Sequence, residues 1–306
     1  MVRILVTGAS GRLGRELVKE LLLQDFSVIA ASRQELDICD ADCTAGAVAD
    51  TGVKVVVNCA GFTDVDRAEK DAQQAWASNA LGPGNLAAVC GALKIPLIQL
   101  SSAYVFGSST GEPRREHERM VPEGVFAKTM LQGEMAVRKS QAPYLIVRTS
   151  ALFGGGGDFI EQLLAKARER KVVPVPGDLL LNPTPLKALA GVLVKLCILS
   201  LNQDFQSWGI YHFAGMPSCS WSGFAQMVFN TARECGILDH AIKVREVTSV
   251  SFPGMAFRPR DARLDCRKMQ QVLGISMPNW QEYLKDALSV EQAVGKTAAL
   301  EPAQKG

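Results

Sequence analysis

The chain has 306 residues, 47% apolar and 21% charged, with 33 Lys and Arg against 31 Asp and Glu. That length suits about two lobes at ~150 residues each, and a formal net charge of +2 offers no basic face for nucleic acid or an anionic membrane. No apolar run approaches the ~18 residues of a membrane span, and the chain opens on the strand-like Arg3-Ile4-Leu5-Val6 rather than on a charged and then apolar leader, which predicts a cytoplasmic protein. Histidine-based metal chemistry is nearly excluded by a stock of three, His117, His212 and His240. The eight cysteines, Cys39, Cys43, Cys59, Cys90, Cys197, Cys219, Cys235 and Cys266, form no C-x-x-C pair and read as buried free thiols in a reducing compartment, so no metal site is expected.

In chain order, short apolar runs alternate with longer amphipathic ones. The runs Ile4-Leu5-Val6, Val28-Ile29-Ala30, Val55-Val56-Val57, Leu97-Ile98 and Leu145-Ile146-Val147 are uninterrupted, as strands covered on both faces require. Between them lie helical patterns such as Leu13 to Leu23, with Leu17, Leu21 and Leu22 on one side, and Ala77 to Ala92. The series predicts an α/β fold, a doubly wound parallel sheet of the NAD(P)-binding Rossmann type with a smaller mixed α+β C-terminal lobe. Residues 1–150 are expected to form the dinucleotide-binding domain, with part of 178–215 returning to it. Residues 151–177 and 216–292 are expected to form the smaller substrate-type lobe, and 293–306 a flexible tail. The run Arg114-Arg115-Glu116-His117-Glu118-Arg119 reads as a solvated loop or a contact surface for a partner chain.

The first strand runs straight into Thr7-Gly8-Ala9-Ser10-Gly11-Arg12-Leu13-Gly14, after which a helix begins. Gly8 permits the tight turn, Gly11 lets backbone approach a pyrophosphate, and Gly14 lets helix pack on sheet, while Ser10, Arg12 and Leu13 complete the loop at the helix N-terminus. Between the first strand and the first helix of a β-α-β series, this triplet predicts a bound dinucleotide. The second strand ends in Ala30-Ala31-Ser32-Arg33, where a carboxylate would select a 2′-hydroxyl; a cation beside a hydroxyl suits a 2′-phosphate, so NADP(H) is favoured over NAD(H). Arg12 either joins Arg33 there or is solvated surface. Asp37-Ile38 either lines the adenine or supplies a loop aspartate capping the next helix.

Beyond this loop the sequence resembles the extended short-chain dehydrogenase/reductase superfamily and, within it, the dTDP-4-dehydrorhamnose reductase family. The stretches that carry the resemblance are residues 7–14, Val57-Asn58-Cys59-Ala60-Gly61-Phe62-Thr63-Asp64, Asn79-Ala80-Leu81-Gly82-Pro83-Gly84-Asn85 and Leu100-Ser101-Ser102-Ala103-Tyr104-Val105-Phe106. Later come Arg148-Thr149-Ser150, Asn182-Pro183-Thr184, residues 209–215 and residues 258–265. The regulatory beta subunit of methionine adenosyltransferase is similar too, and implies that the scaffold also serves roles other than reduction. The resemblance implies that Cys59, Ala60, Gly61, Thr63, Asn79 and Ser101 contribute to the cofactor site, Asn79 through backbone pairing, and that Ala103, Ala151 and Arg258 adjoin the substrate pocket.

In active relatives, the resemblance implies, a Ser or Thr after the fourth strand and a Tyr-x-x-x-Lys on the next long helix perform the chemistry. The phenol protonates the carbonyl oxygen, and the lysine lowers that phenol's pKa from about 10. Ser102 falls on the hydroxyl position. In Gly124-Val125-Phe126-Ala127-Lys128-Thr129-Met130-Leu131-Gln132-Gly133-Glu134, the register set by Leu131 and Gly133-Glu134 puts Phe126 on the tyrosine position and Met130 on the lysine position. Neither side chain donates a proton or carries charge. Lys128 stands roughly 200° around the helix from Phe126. Tyr104, two residues past Ser102, either lines the pocket or substitutes as donor.

Two readings follow. One is an NADP(H)-binding protein with a degraded site, weakly active or non-catalytic, that regulates or scaffolds a protein partner. The other is an NADPH-dependent reductase of a nucleotide-sugar 4-ketone. Nucleic acid and membrane are expected partners of neither.

Overall fold

Uninterrupted apolar runs form a sheet because consecutive residues serve opposite faces. In a computed structural model that describes residues 1–108, 111–252 and 254–289, Ile4 and Val6 pack into one core while Leu5 between them packs into the other, and Val55, Val57 and Val56 divide the same way. The strands are β1 (Arg3–Thr7), β2 (Ser27–Ala31), β3 (Val55–Asn58), β4 (Leu97–Ser102) and β5 (Tyr144–Thr149). The first helices are α1 (Arg12–Leu22), α2 (Ala41–Ala49), α3 (Val65–Lys70), α4 (Ala72–Trp76), α5 (Gly82–Leu93) and α6 (Gly124–Lys139). Gly82 and Pro83 open α5, and the residues before it, Ala77–Leu81, form a π-helical turn rather than extending one helix back to Ala77. On α1, Leu17 and Leu21 are buried but Leu22, expected beside them, is 56% exposed, since the next residue along a helix is turned by about 100°.

The second half adds β6 (Leu152–Phe153), α7 (Phe159–Glu169), β7 (Val172–Pro176), β8 (Leu180–Leu181), β9 (Thr184–Pro185), α8 (Leu186–Ser200) and β10 (Gly209–His212). It ends with β11 (Cys219–Ser220), α9 (Trp221–Glu234), β12 (Lys243–Val247) and α10 (Arg267–Leu273). The main sheet has the order β2-β1-β3-β4-β5-β10 with every pairing parallel. Chain order reverses at β1, so the crevice at the carboxyl ends of β1 and β3 is where an open α/β sheet offers a site.

Helix α8 packs beside α1 on one face through Leu189, Leu193 and Leu196. The other face carries α2, α5 and α6 through Val48, Leu86 and Val137. A second core joins α7, α9 and the parallel pair β7–β12, with Phe153, Phe224, Phe229 and Trp280 at its centre. The smaller lobe is not continuous over 216–292: Met269 and Ile275 pack among the main sheet's apolar residues, and Ala262, Leu264 and Cys266 pack with Ala103 and Phe106. There Ala262, Leu264 and Cys266 alternate with the charged Arg263 and Asp265, so one side of the segment packs inward while the other meets solvent. The tail expected over 293–306 lies outside the described residues. Among those described, no helix is long and apolar enough to cross a membrane.

Candidate active site

The loop after β1 shows why its residues are glycines. Gly8 has φ +63°, and a Cβ there would lie 2.6 Å from the Ala60 nitrogen; one on Gly14 would lie 2.3 Å from the Gly8 oxygen. Gly11 caps α1 with no side-chain hydrogen bond, so the first N–H groups of the helix stay open toward the cleft. That cleft measures about 1160 Å³. Gly11, Arg12, Leu13, Gly14, Cys59, Ala60, Gly61, Thr63, Asn79 and Ser101 line it, as do Ser102, Tyr104, Phe126, Met130, Ala151 and Arg258. Open donors at the helix end fit a diphosphate. On the cleft floor, the Thr149 hydroxyl is buried with no hydrogen-bond partner among the described residues.

Side chains fix the cleft's edges. Asn58 Oδ1 accepts from the Thr7 hydroxyl at 2.6 Å and from the Ala60 N–H at 3.1 Å, tying β1 to the loop after β3. Asn79 holds the far side of that loop: its Oδ1 accepts the Phe62 N–H at 2.7 Å and its amide donates to the Phe62 oxygen. Burial pushes the Cys59 thiol up to about 12, which leaves it inert as a nucleophile. Helix α6 starts without a cap of its own, and Glu69 on α3 accepts the Val125 N–H at 2.7 Å. Phe126, 8% exposed, is thereby held against Ala68 and Ala75, with Met130 and Tyr104 beside it. Lys128 is exposed, on the opposite side of the helix.

Beneath the cleft floor lies a buried charge node. Arg148 donates from Nε and Nη2 to the two Glu134 oxygens at 2.8 and 2.7 Å, and the Ser101 hydroxyl donates to the same carboxylate at 2.5 Å. Both charged side chains are at most 1% exposed. Arg148 also donates to the Glu116 oxygen and stacks on Phe106. Glu116 accepts the His212 N–H, so the 114–119 run is only partly a solvated loop: its centre is built into the node. His212 Nδ1 lies 3.1 Å from the Asp265 carbonyl oxygen, which can only accept, so Nδ1 carries the proton and Nε2 faces Arg148 as acceptor.

Burial, with the Arg148 charge next, pulls His212 down from 6.5 to about 3. The native pKa lies below the unfolded one, so the unfolded chain binds the extra proton. The contribution of His212 is full above about pH 6.5 and is lost as pH falls toward 3, by up to ~1.4 kcal/mol per pH unit. Urea midpoints measured from pH 7 to pH 4 are therefore expected to fall less steeply for His212→Gln than for the parent chain; parallel curves would remove His212 from this role.

Ion pairs tie the first lobe to later segments. Arg258 grips Asp66 with two hydrogen bonds of 2.8 Å, Nη1 to Oδ1 and Nη2 to Oδ2, and the Ala256 N–H donates to Oδ1 at 2.6 Å. This arginine bond holds the Asp66 carboxyl below its usual range. Arg12 reaches Asp158 Oδ2 and the Gly154 oxygen, both at 3.3 Å. Arg12 therefore does not join Arg33; the guanidinium turns toward the glycine run at 154–157 because Asp158 offers a buried carboxylate there. Arg33 stays at the end of β2, donating to Gln74 at 3.3 Å. Ser32, 3.8 Å-paired Arg33 and Asp37, Ser10 and Gly8 lie outside the cleft wall.

Three other expectations need correction. Ile38 does not face the cleft: it is 4% exposed and packs in the core on the α2–α5 side, against Gly82. Asp37 does not cap α2; its Oδ1 accepts the Cys39 N–H, while Asp40 accepts the first N–H groups of that helix. Ala103 is 1% exposed and packs with Val105, Phe106 and Leu264, because the 3-10 turn that follows β4 points its methyl inward and presents Tyr104 to the cleft. Asp66, Glu134, Arg148, Thr149 and Asp158 are the site residues that motif reading passed over. An aspartate directly before Phe159 is a helix-cap signal that would have found Asp158.

Residues 2–293 match the family model described as the RmlD substrate binding domain. The chain belongs to the RmlD substrate binding domain family. It is 37% identical over 288 residues to the dTDP-4-dehydrorhamnose reductase of Streptomyces griseus, covering 93% of this chain and 92% of that protein. A crystal structure of a dTDP-4-dehydrorhamnose reductase from Clostridium acetobutylicum superposes with a TM-score of 0.87 at 32% identity, over 94% of this chain and 99% of that one. The enzyme of that name from Bacillus anthracis, solved in complex with NADP, gives 0.85 at 29% identity, with 94% and 99% covered. The RmlD family match spans both lobes and every cleft residue from Gly11 to Arg258.

Proposed function

We propose that the chain binds NADP(H) in the cleft at the β1–α1 loop and uses NADPH to reduce the 4-ketone of a nucleotide sugar. The observation that carries this reading is one continuous cleft that starts at the open N-terminus of α1 and ends at Ser102, Tyr104 and Arg258. Relatives named for reduction of dTDP-4-dehydrorhamnose, one of them solved with NADP, support the same reading. The diphosphate would lie against the N–H groups of Arg12 to Gly14, and Arg33, beyond the cleft wall at the end of β2, would meet a 2′-phosphate. A bound reduced nicotinamide supplies hydride. The Ser102 hydroxyl, at the end of β4, would hold the carbonyl oxygen, with the apolar side chains of Phe126 and Met130 in the cleft wall.

A second reading, cofactor binding without reduction and regulation of a protein partner, is favoured by one observation. Phe126 and Met130, which face the cleft where the resemblance puts a phenol and an ammonium, supply neither. Fluorescence titration with NADPH and NADH, followed by NADPH oxidation with dTDP-4-dehydrorhamnose, separates the two. Tighter binding of NADPH and oxidation at about 1 s⁻¹ or faster are expected of a working reductase. Binding with no oxidation would leave the regulatory reading, and absence of binding would defeat both.

A further inference from the structure

Of the four tyrosines, only Tyr104 lines the cleft. It leaves β4 in the 3-10 turn Ala103–Phe106, where its N–H donates to Ser102 Oγ at 3.2 Å. Its ring stands edge-on to Phe126, with centroids 5.7 Å apart and planes at 88°. The two rings therefore line the same part of the cleft. The Tyr104 hydroxyl makes no hydrogen bond among the described residues. Arg258, from the 254–258 segment, and Asp66, from α3, line the same cleft as a bonded pair. Their bidentate pairing keeps the guanidinium fixed, 16% exposed, at the edge of the site.

Resting on the reductase reading, we propose that Tyr104 is the proton donor of this cleft and that Arg258, aimed by Asp66, supplies the positive charge that steadies its phenolate. The pair would do from the β4 turn and the 254–258 segment what a Tyr-x-x-x-Lys pair does from a single helix. Hydride from NADPH forms the new C–H bond at the carbonyl carbon while the Tyr104 O–H bond breaks and its proton goes to the carbonyl oxygen. The products are the alcohol, NADP⁺ and a Tyr104 phenolate, which solvent reprotonates. Burial raises the pKa of Tyr104 and Asp66 adds to the rise, while Arg258 opposes both. The phenol is thus fully protonated at neutral pH and is able to donate to an alkoxide, a stronger base still.

The test uses the full chain. In single turnovers with NADPH and dTDP-4-dehydrorhamnose, Tyr104→Phe is expected to lose about 10²-fold or more in rate with NADPH affinity unchanged, the scale of a lost general acid. Arg258→Gln is expected to lower kcat and to move the alkaline limb of the pH–rate profile upward, because the phenol then ionises at higher pH. Ultraviolet titration of tyrosinate in the cofactor-free chain should show the same upward movement for the one tyrosine that Tyr104→Phe removes. A Tyr104→Phe rate within about threefold of the parent, or a tyrosinate titration unmoved by Arg258→Gln, overturns the proposal while leaving the reductase reading intact. A parent chain that binds NADPH but never oxidises it overturns both.

Discussion

Phe126→Tyr with Met130→Lys, introduced into the Tyr104→Phe chain, is expected to return NADPH oxidation by about 10²-fold, the range of one positioned general acid. The two positions are four apart on α6 and so share one face, and both side chains line the cleft. Phe126 is already held as an aromatic ring against Ala68 and Ala75, so a hydroxyl at its outer end adds a donor without repacking the ring. Methionine and lysine have similar unbranched length, and Met130 is partly exposed, so the introduced ammonium keeps access to solvent while facing the new phenol. Phe126→Tyr alone should recover less, because a phenol in an apolar wall has its pKa raised above about 10 unless a cation offsets burial. The measurement is single-turnover NADPH oxidation at neutral pH, with NADPH affinity as the control for folding. No recovery in a variant that still binds NADPH would mean that the face of α6 does not meet the substrate carbonyl, and would weaken the site assignment at its centre.

The parts of the fold legible in the sequence were those set by local period. Apolar runs of the kind Val55-Val56-Val57 announce a sheet covered on both faces, and the glycines at 8 and 14 announce a loop whose neighbours leave no space for a Cβ. Ser102 and Asn79 could be placed because each sits in a stretch that carries the family resemblance. What could not be read was any pairing between distant segments. Asp66 and Arg258 are 192 positions apart, and Arg12 and Asp158 are 146 apart, so neither guanidinium's orientation is encoded nearby. Arg12 beside Arg33 was plausible from a shared end of the sheet, but a buried carboxylate outcompetes an exposed loop for a guanidinium. Ile38 and Ala103 failed for a different reason. Each follows a residue that does face outward, and a single-residue step reverses the side in an extended segment and turns it by about 120° in a 3-10 turn.

Glu134→Ala is expected to destabilise the chain by about 3–5 kcal/mol, the cost of leaving one member of a buried ion pair alone. The Arg148 guanidinium would remain at 0% exposure with its strongest acceptor gone, keeping only the Glu116 carbonyl, the His212 ring and contacts with Met120 and Phe106. The Ser101 hydroxyl would lose its partner in the same step. Because Ser101 and Arg148 are neighbours across β4 and β5, the loss falls directly under Ser102 and Thr149, the next cross-strand pair and the floor of the cleft. Removing the charge from both sides, Glu134→Leu with Arg148→Met, should recover about 1–3 kcal/mol of the single-variant loss, since an apolar pair of similar volume carries no desolvation cost. Urea denaturation with an unchanged slope measures both variants. If the double variant is no more stable than Glu134→Ala, the node's value lies in its hydrogen bonds to the 114–120 segment and to Ser101 rather than in compensation of a buried charge. If Glu134→Ala costs less than about 1 kcal/mol, water reaches Arg148 and the node is not the rigid base on which Ser102 is set.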